Sequence, residues 1–185
     1  MSQGLLNNQV TINDNNVTDV VFLVDALKVP GSGGPDFEQV GTSGVYAYNF
    51  APSQDSTAYF QVQVPHSYQA GSSISIHIHW APSSTNTGIV NWKITYQLKS
   101  IDSAFSASAS SDTGTDLYDA GDGTTLKHQM TASHVASGSG VTESAILLGT
   151  IARLGSGDSF TGDAWLVGLD AHIYQDKLGT ATMPA

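Results

Sequence analysis

Between residues 59 and 98 apolar and polar side chains alternate with a period of two, the spacing of a strand that buries one face. Ile74, Ile76, Ile78 and Trp80 fall on one side of such a strand, and Ser73, Ser75, His77 and His79 on the other. Phe60, Val62 and Val64 repeat the pattern upstream, as do Trp92, Ile94, Tyr96 and Leu98 downstream. No segment carries a convincing amphipathic helical spacing. The pattern predicts further strands over residues 20–28, 45–50, 124–130, 143–153 and 164–174. In the last of these Val167, Leu169, Ala171 and Ile173 alternate with Gly168, Asp170, His172 and Tyr174. Ser-Ala-Ile-Leu-Leu, inside 143–153, also suits a short helix. Short strands in this number, broken by Pro and Gly loops such as residues 29–35, point to an all-β, antiparallel β-sandwich of the jelly-roll kind.

Residues 1–19, rich in Asn, Gln and Thr, read as an extended N-terminal arm, and residues 20–185 as a single jelly-roll-like domain. The Ser-, Ala- and Thr-rich stretch 104–115 reads as a loop that Phe105 anchors. The chain has no cysteine, so neither a disulfide framework nor a thiolate metal site is available. Six basic residues against sixteen acidic ones give a net charge of −10, which excludes binding along a row of phosphates, so nucleic acid is not an expected partner. No membrane partner is expected either, because no run approaches the roughly 20 apolar residues that cross a bilayer. The start, Met-Ser-Gln-Gly, has no basic region leading into an apolar stretch, and synthesis in a cytoplasm is the expectation.

Two histidines at i and i+2 on one strand face raise the question of a metal ion. Gly71, His77 and His79 match the start of a cupin metal motif, a Gly followed by His-x-His. The Glu that should follow is missing, since Trp80 leads into Ala-Pro-Ser-Ser-Thr-Asn, and the second cupin motif is not evident. Asp170 and His172 complete a ligand set if the last strand neighbours the His77 strand. Without a full set, the expectation is no metal and no cofactor, with the histidines bonding across strands or packing at a subunit contact. The loops Asp112 to Asp116 and Asp119 to Asp122 offer calcium-type oxygens, but they lack EF-hand spacing and read as turns, as does Gly155-Ser-Gly157-Asp158. No nucleophile elbow, zincin helix or phosphate-cradling loop is present, so no catalytic residue is nominated. Trp80, Trp92 and Trp165 could stack on a sugar, but Trp80 and Trp92 share the apolar parity of their strands and read as core.

The blocks Val64-Pro65-His66-Ser-Tyr68, Ile76-His77-Ile78-His79-Trp80-Ala-Pro82 and Val90-Asn-Trp92-Lys-Ile-Thr-Tyr96 resemble a segment of tailed-bacteriophage virion proteins. The closing Leu169-Asp170-Ala-His172-Ile-Tyr174 resembles the last strand of the same proteins. The resemblance implies a non-enzymatic virion component, with the major capsid protein or another virion protein as its partner, assembled in the host cytoplasm. Jelly rolls form symmetric trimers readily, and an extended arm adds contact area on a neighbour. The leading expectation is therefore a trimeric capsid decoration, or cement, protein on the capsid surface. The alternatives are a neck, baseplate or host-recognition component that contacts glycan or receptor, and a cupin-like metal enzyme built on His77, His79 and His172.

Overall fold

A computed structural model describes residues 16–107 and 116–176. Its strands are β1 (Asn16–Phe22), β2 (Asp36–Gln39), β3 (Tyr46–Phe50), β4 (Asp55–Gln63), β5 (Ile74–Pro82), β6 (Ile89–Lys99), β7 (Asp116–Ala120), β8 (Gln129–Met130), β9 (His134–Ala136), β10 (Ile146–Leu154) and β11 (Ala164–Gln175). They form two antiparallel sheets. One has seven strands, with the order β2-β3-β11-β5-β8; β1 also pairs with β11, and β9 with β5. The other has the order β4-β10-β6-β7. This is the expected antiparallel, jelly-roll-like sandwich.

The alternation in β5 does what its period requires: Ile74, Ile76, Ile78 and Trp80 are buried between the sheets. Trp92, Ile94 and Tyr96 of β6 and Leu147 and Ile151 of β10 belong to the same core. Trp80 meets Trp92 and Phe160 edge-on, at centroid distances of 6.3 and 5.6 Å, and Phe50 meets Trp92 at 5.1 Å. Each such pair adds roughly 0.5–1.5 kcal/mol to simple area burial. Trp80 and Trp92 are thus core, and Trp165 is buried in a small second cluster with Ala47 and Ala81.

Several sequence expectations need correction. The first strand spans Asn16–Phe22, so residues 16–19 belong to the sheet; residues 1–15 lie outside the described residues. After Phe22 the chain enters a 3-10 turn, Val24–Ala26, where a strand to residue 28 was expected. Residues 124–130 hold only the two-residue β8, preceded by a turn in which Leu126 N–H donates to the Pro82 carbonyl. Ile146–Leu154 is strand and no helix, because it is laddered on both sides, to β4 and to β6. The short strands β2, β7 and β9 escaped the sequence reading. Phe105 is exposed, and Gln97 holds the segment in its place: its amide donates to the Ser106 carbonyl at 3.2 Å, and its side-chain oxygen accepts the Ser106 N–H at 2.7 Å. Residues 108–115 lie outside the described residues.

The register of β11 carries the most consequential correction. Leu166 faces Trp80 and Gly168 faces His79, so Val167 is an extra residue, a β-bulge. Ala164 and Leu166 point into the core before the bulge, and Leu169, Ala171 and Ile173 after it. Val167, expected inside, is exposed. The bulge also falls where β11 changes neighbours. On one side β3 pairs with residues 164–166 and β1 with residues 169–175, and neither strand pairs with Val167 or Gly168.

Candidate functional site

Two features meet on the outer face and edge of the seven-stranded sheet: a row of imidazoles and carboxylates, and an apolar groove. The row follows from strand parity and register. Asp170 and His172 stand two residues apart on β11, with Asp19 of β1 opposite His172 and His77 of β5 opposite Asp170. The adjacency of the last strand and the His77 strand, the condition set for Asp170 and His172 to join the histidines, is therefore present. His172 Nε2 lies 3.2 Å from Asp19 Oδ1 and 3.5 Å from Asp170 Oδ2. His79 Nε2 lies 3.4 Å from Asp170 Oδ1, and its Nδ1 is 2.8 Å from Nε2 of His128. Asp170 Oδ1 is buried and accepts no hydrogen bond of good geometry. One imidazole thus stands between two carboxylates, with a second pair of imidazoles alongside.

His77 takes a different part. Its Nδ1 is 3.2 Å from the Thr131 carbonyl, which can only accept, so that nitrogen carries the proton. Its Nε2 then accepts the Ser133 hydroxyl at 3.3 Å. Both ring nitrogens are used in tying the β8–β9 connection to β5, and the ring lies beside that of His172, tilted by 47° at a centroid distance of 4.7 Å. Gly168 makes room for the row: a Cβ there would stand 3.2 Å from the His79 Cβ. Asp19 and His128 belong to the cluster and were not singled out from the sequence. Asp19 fell inside the stretch read as an arm, and His128 inside the expected strand 124–130, where it was given no role; it lies directly before β8.

The aspartate loops have other partners. Asp119 is at the end of β7, where its Oδ2 accepts the Trp80 indole N–H at 2.6 Å. Burial raises its carboxyl above the ordinary range, partly offset by that hydrogen bond. Asp122 pairs with Lys127 and accepts the Thr124 N–H. Asp158, in the turn after β10, is bound by the buried Arg153.

The groove opens beside the gap between β1 and β3. It encloses about 460 Å³ and is lined by side chains that include Val21, Leu23, Phe37, Val45, Tyr46 and Val167. These are well exposed for apolar groups: Leu23 at 69%, Val21 at 67%, Val45 at 62% and Phe37 at 53%. The Phe37 and Tyr46 rings lie 5.9 Å apart, tilted by 34°.

No family model matches the chain, and no curated protein sequence does. Among solved structures the chain is similar to a family 35 carbohydrate-binding module from Clostridium thermocellum, with 11% identity over 83% of this chain and 97% of that one and a TM-score of 0.49. It is also similar to the CBM36-1 domain of a multidomain xylanase from the hindgut metagenome of Trinervitermes trinervoides, with 14% identity, 91% and 100% coverage and a TM-score of 0.47. A third is the isomalto-dextranase of Arthrobacter globiformis T6 complexed with panose, with 15% identity, 84% and 23% coverage and a TM-score of 0.45.

Proposed function

We propose that the protein is a non-enzymatic structural component of a phage virion, a decoration protein that binds the major capsid protein lattice as a trimer. The observation that carries this reading is the apolar groove. Contiguous exposed apolar surface rimmed by polar residues marks a contact with another macromolecule, and here it adjoins a stretch of β11 that neither β1 nor β3 covers on that side. An apolar, extended segment of a capsid subunit fits such a place, combining side-chain burial with main-chain pairing. The virion assignment draws its support from the Pro-His, His-x-His-Trp and Asp-x-His blocks.

Quantitative mass spectrometry of purified virions tests it. A copy number in the hundreds, scaling with the major capsid protein, is the expected result. A handful of copies would move the protein to the neck or tail, and its absence from virions would end the structural reading. On isolated capsids, Val21→Asp combined with Leu23→Asp should weaken binding at least about tenfold, since each change puts a charge into a dry contact.

A second reading, host recognition through glycan, has the neighbouring exposed rings of Phe37 and Tyr46 in its favour, because paired aromatic faces suit sugar stacking. Phe37→Ala would then abolish binding to glycan, whereas the capsid reading has the same variant weaken attachment to capsids, because Phe37 lines the groove.

A further inference from the structure

We propose that Asp19, Asp170 and His172 form a site for one divalent transition-metal ion of the zinc type. One ligand atom from each of the three lies within 4.8 Å of the other two. The spacing of the atoms is compatible with a metal cradle. Charge-assisted N–H···O bonds run about 2.7–2.9 Å. The His172 contacts, at 3.2 and 3.5 Å, are longer than that. Zinc bonds to nitrogen and oxygen of about 2.0–2.2 Å, set at tetrahedral angles, place neighbouring ligand atoms roughly 3.3–3.6 Å apart. The two separations from His172 Nε2, 3.2 and 3.5 Å, are close to the edges of such a tetrahedron, and the two aspartate oxygens lie within 4.8 Å of each other.

Charge and polarity agree. Two carboxylates flank a single imidazole in a protein of net charge −10, and a divalent cation would offset both. The imidazole selects against calcium and magnesium, which prefer oxygen alone. His79 lies on the far oxygen of Asp170 and outside the ligand triplet, so it serves as a positioning residue, with His128 behind it. Three protein ligands leave a coordination position facing solvent. The ion would join β1 to β11 through side chains, in addition to their ladder.

The test uses the full chain without a histidine tag, stripped with chelator and titrated calorimetrically with Zn²⁺, with Co²⁺ as an absorbance probe. The expected result is about one equivalent of Zn²⁺ and a tetrahedral-type Co²⁺ spectrum, with Ca²⁺ far weaker. Asp19→Asn and His172→Gln should each weaken Zn²⁺ binding at least about tenfold, whereas His66→Gln should leave it unchanged. Asp19 is largely exposed, so its variant keeps the fold and the comparison stands even if His172→Gln does not fold. No stoichiometric uptake, or wild-type affinity in the Asp19 variant, would overturn the proposal and leave His172 as a simple ion-pair partner of the two aspartates.

Discussion

Two clusters in this molecule join cationic or potentially cationic nitrogen to carboxylate, and they are built on opposite terms. Around Arg153 everything is closed. Its Nε and Nη2 donate to the two oxygens of Asp158 at 2.8 and 3.2 Å, Nη1 to the carbonyls of Phe50 and Gly162, and Nη2 also to Phe160. All five guanidinium donors are used, and neither side chain of the pair is exposed beyond 1%. The Asp170 row, by contrast, is partly open to solvent, its contacts are longer, and one carboxylate oxygen is unsatisfied. A closed network specifies structure, here by tying the end of β10 to β3 and to the 158–162 turn. An open one retains the capacity to bind.

The sharpest break of that contrast is Arg153→Met, which strands Asp158 in the core. It should cost about 3–5 kcal/mol in denaturant unfolding. Adding Asp158→Leu should recover much of the loss, because an apolar pair of similar volume needs no compensating charge. His172→Gln, on the open side, should cost no more than about 1 kcal/mol. If the two single variants cost the same, the distinction between a closed and an open cluster fails.

Gly168→Ala sharpens the comparison by touching the row alone. Its new methyl would displace the His79 ring by a few tenths of an ångström, at a cost under about 1 kcal/mol. The His79 and His128 side-chain resonances should move while those of the core tryptophans stay. Smallest are two pH effects of opposite sign. Burial holds the Asp119 proton more tightly in the native state, so its contribution to stability is full below the ordinary carboxylate range and is lost as pH rises through the raised value. At Asp55, hydrogen bonds from the Ser156 hydroxyl and N–H lower the pKa, so its contribution is present above the ordinary range and is lost as pH falls through the lowered value. Melting temperature against pH for Asp119→Asn and Asp55→Asn should show each slope removed separately.

The core was legible because a period of two survives wherever a strand is regular. Ile74, Ile76, Ile78, Trp80, Trp92, Ile94 and Tyr96 were all placed by it. The pattern misassigned Val167 because a bulge inserts one residue and flips parity without any local signature, apart from a neighbouring glycine. The candidate site was half legible. His79, Asp170 and His172 lie on patterned strands, whereas Asp19 joins them only through pairing between the first and last strands, a contact across most of the chain. Arg153 was read as the end of a strand and no more. Its burial depends on three carbonyls from three separate positions, which no sequence window contains.

Asn16 lies opposite Gln175 in the β1–β11 ladder, so both described ends of the chain leave from one corner of the sheet. A force drawing those ends apart would open the ladder like a zipper, one residue pair after another, rather than shearing its seven pairs together. Among the described residues, this ladder is the one such a pull would load first. A restraint on its outermost strand would have to come from something that clasps β1 sideways, as a neighbouring chain in the groove or an ion held by Asp19 would do.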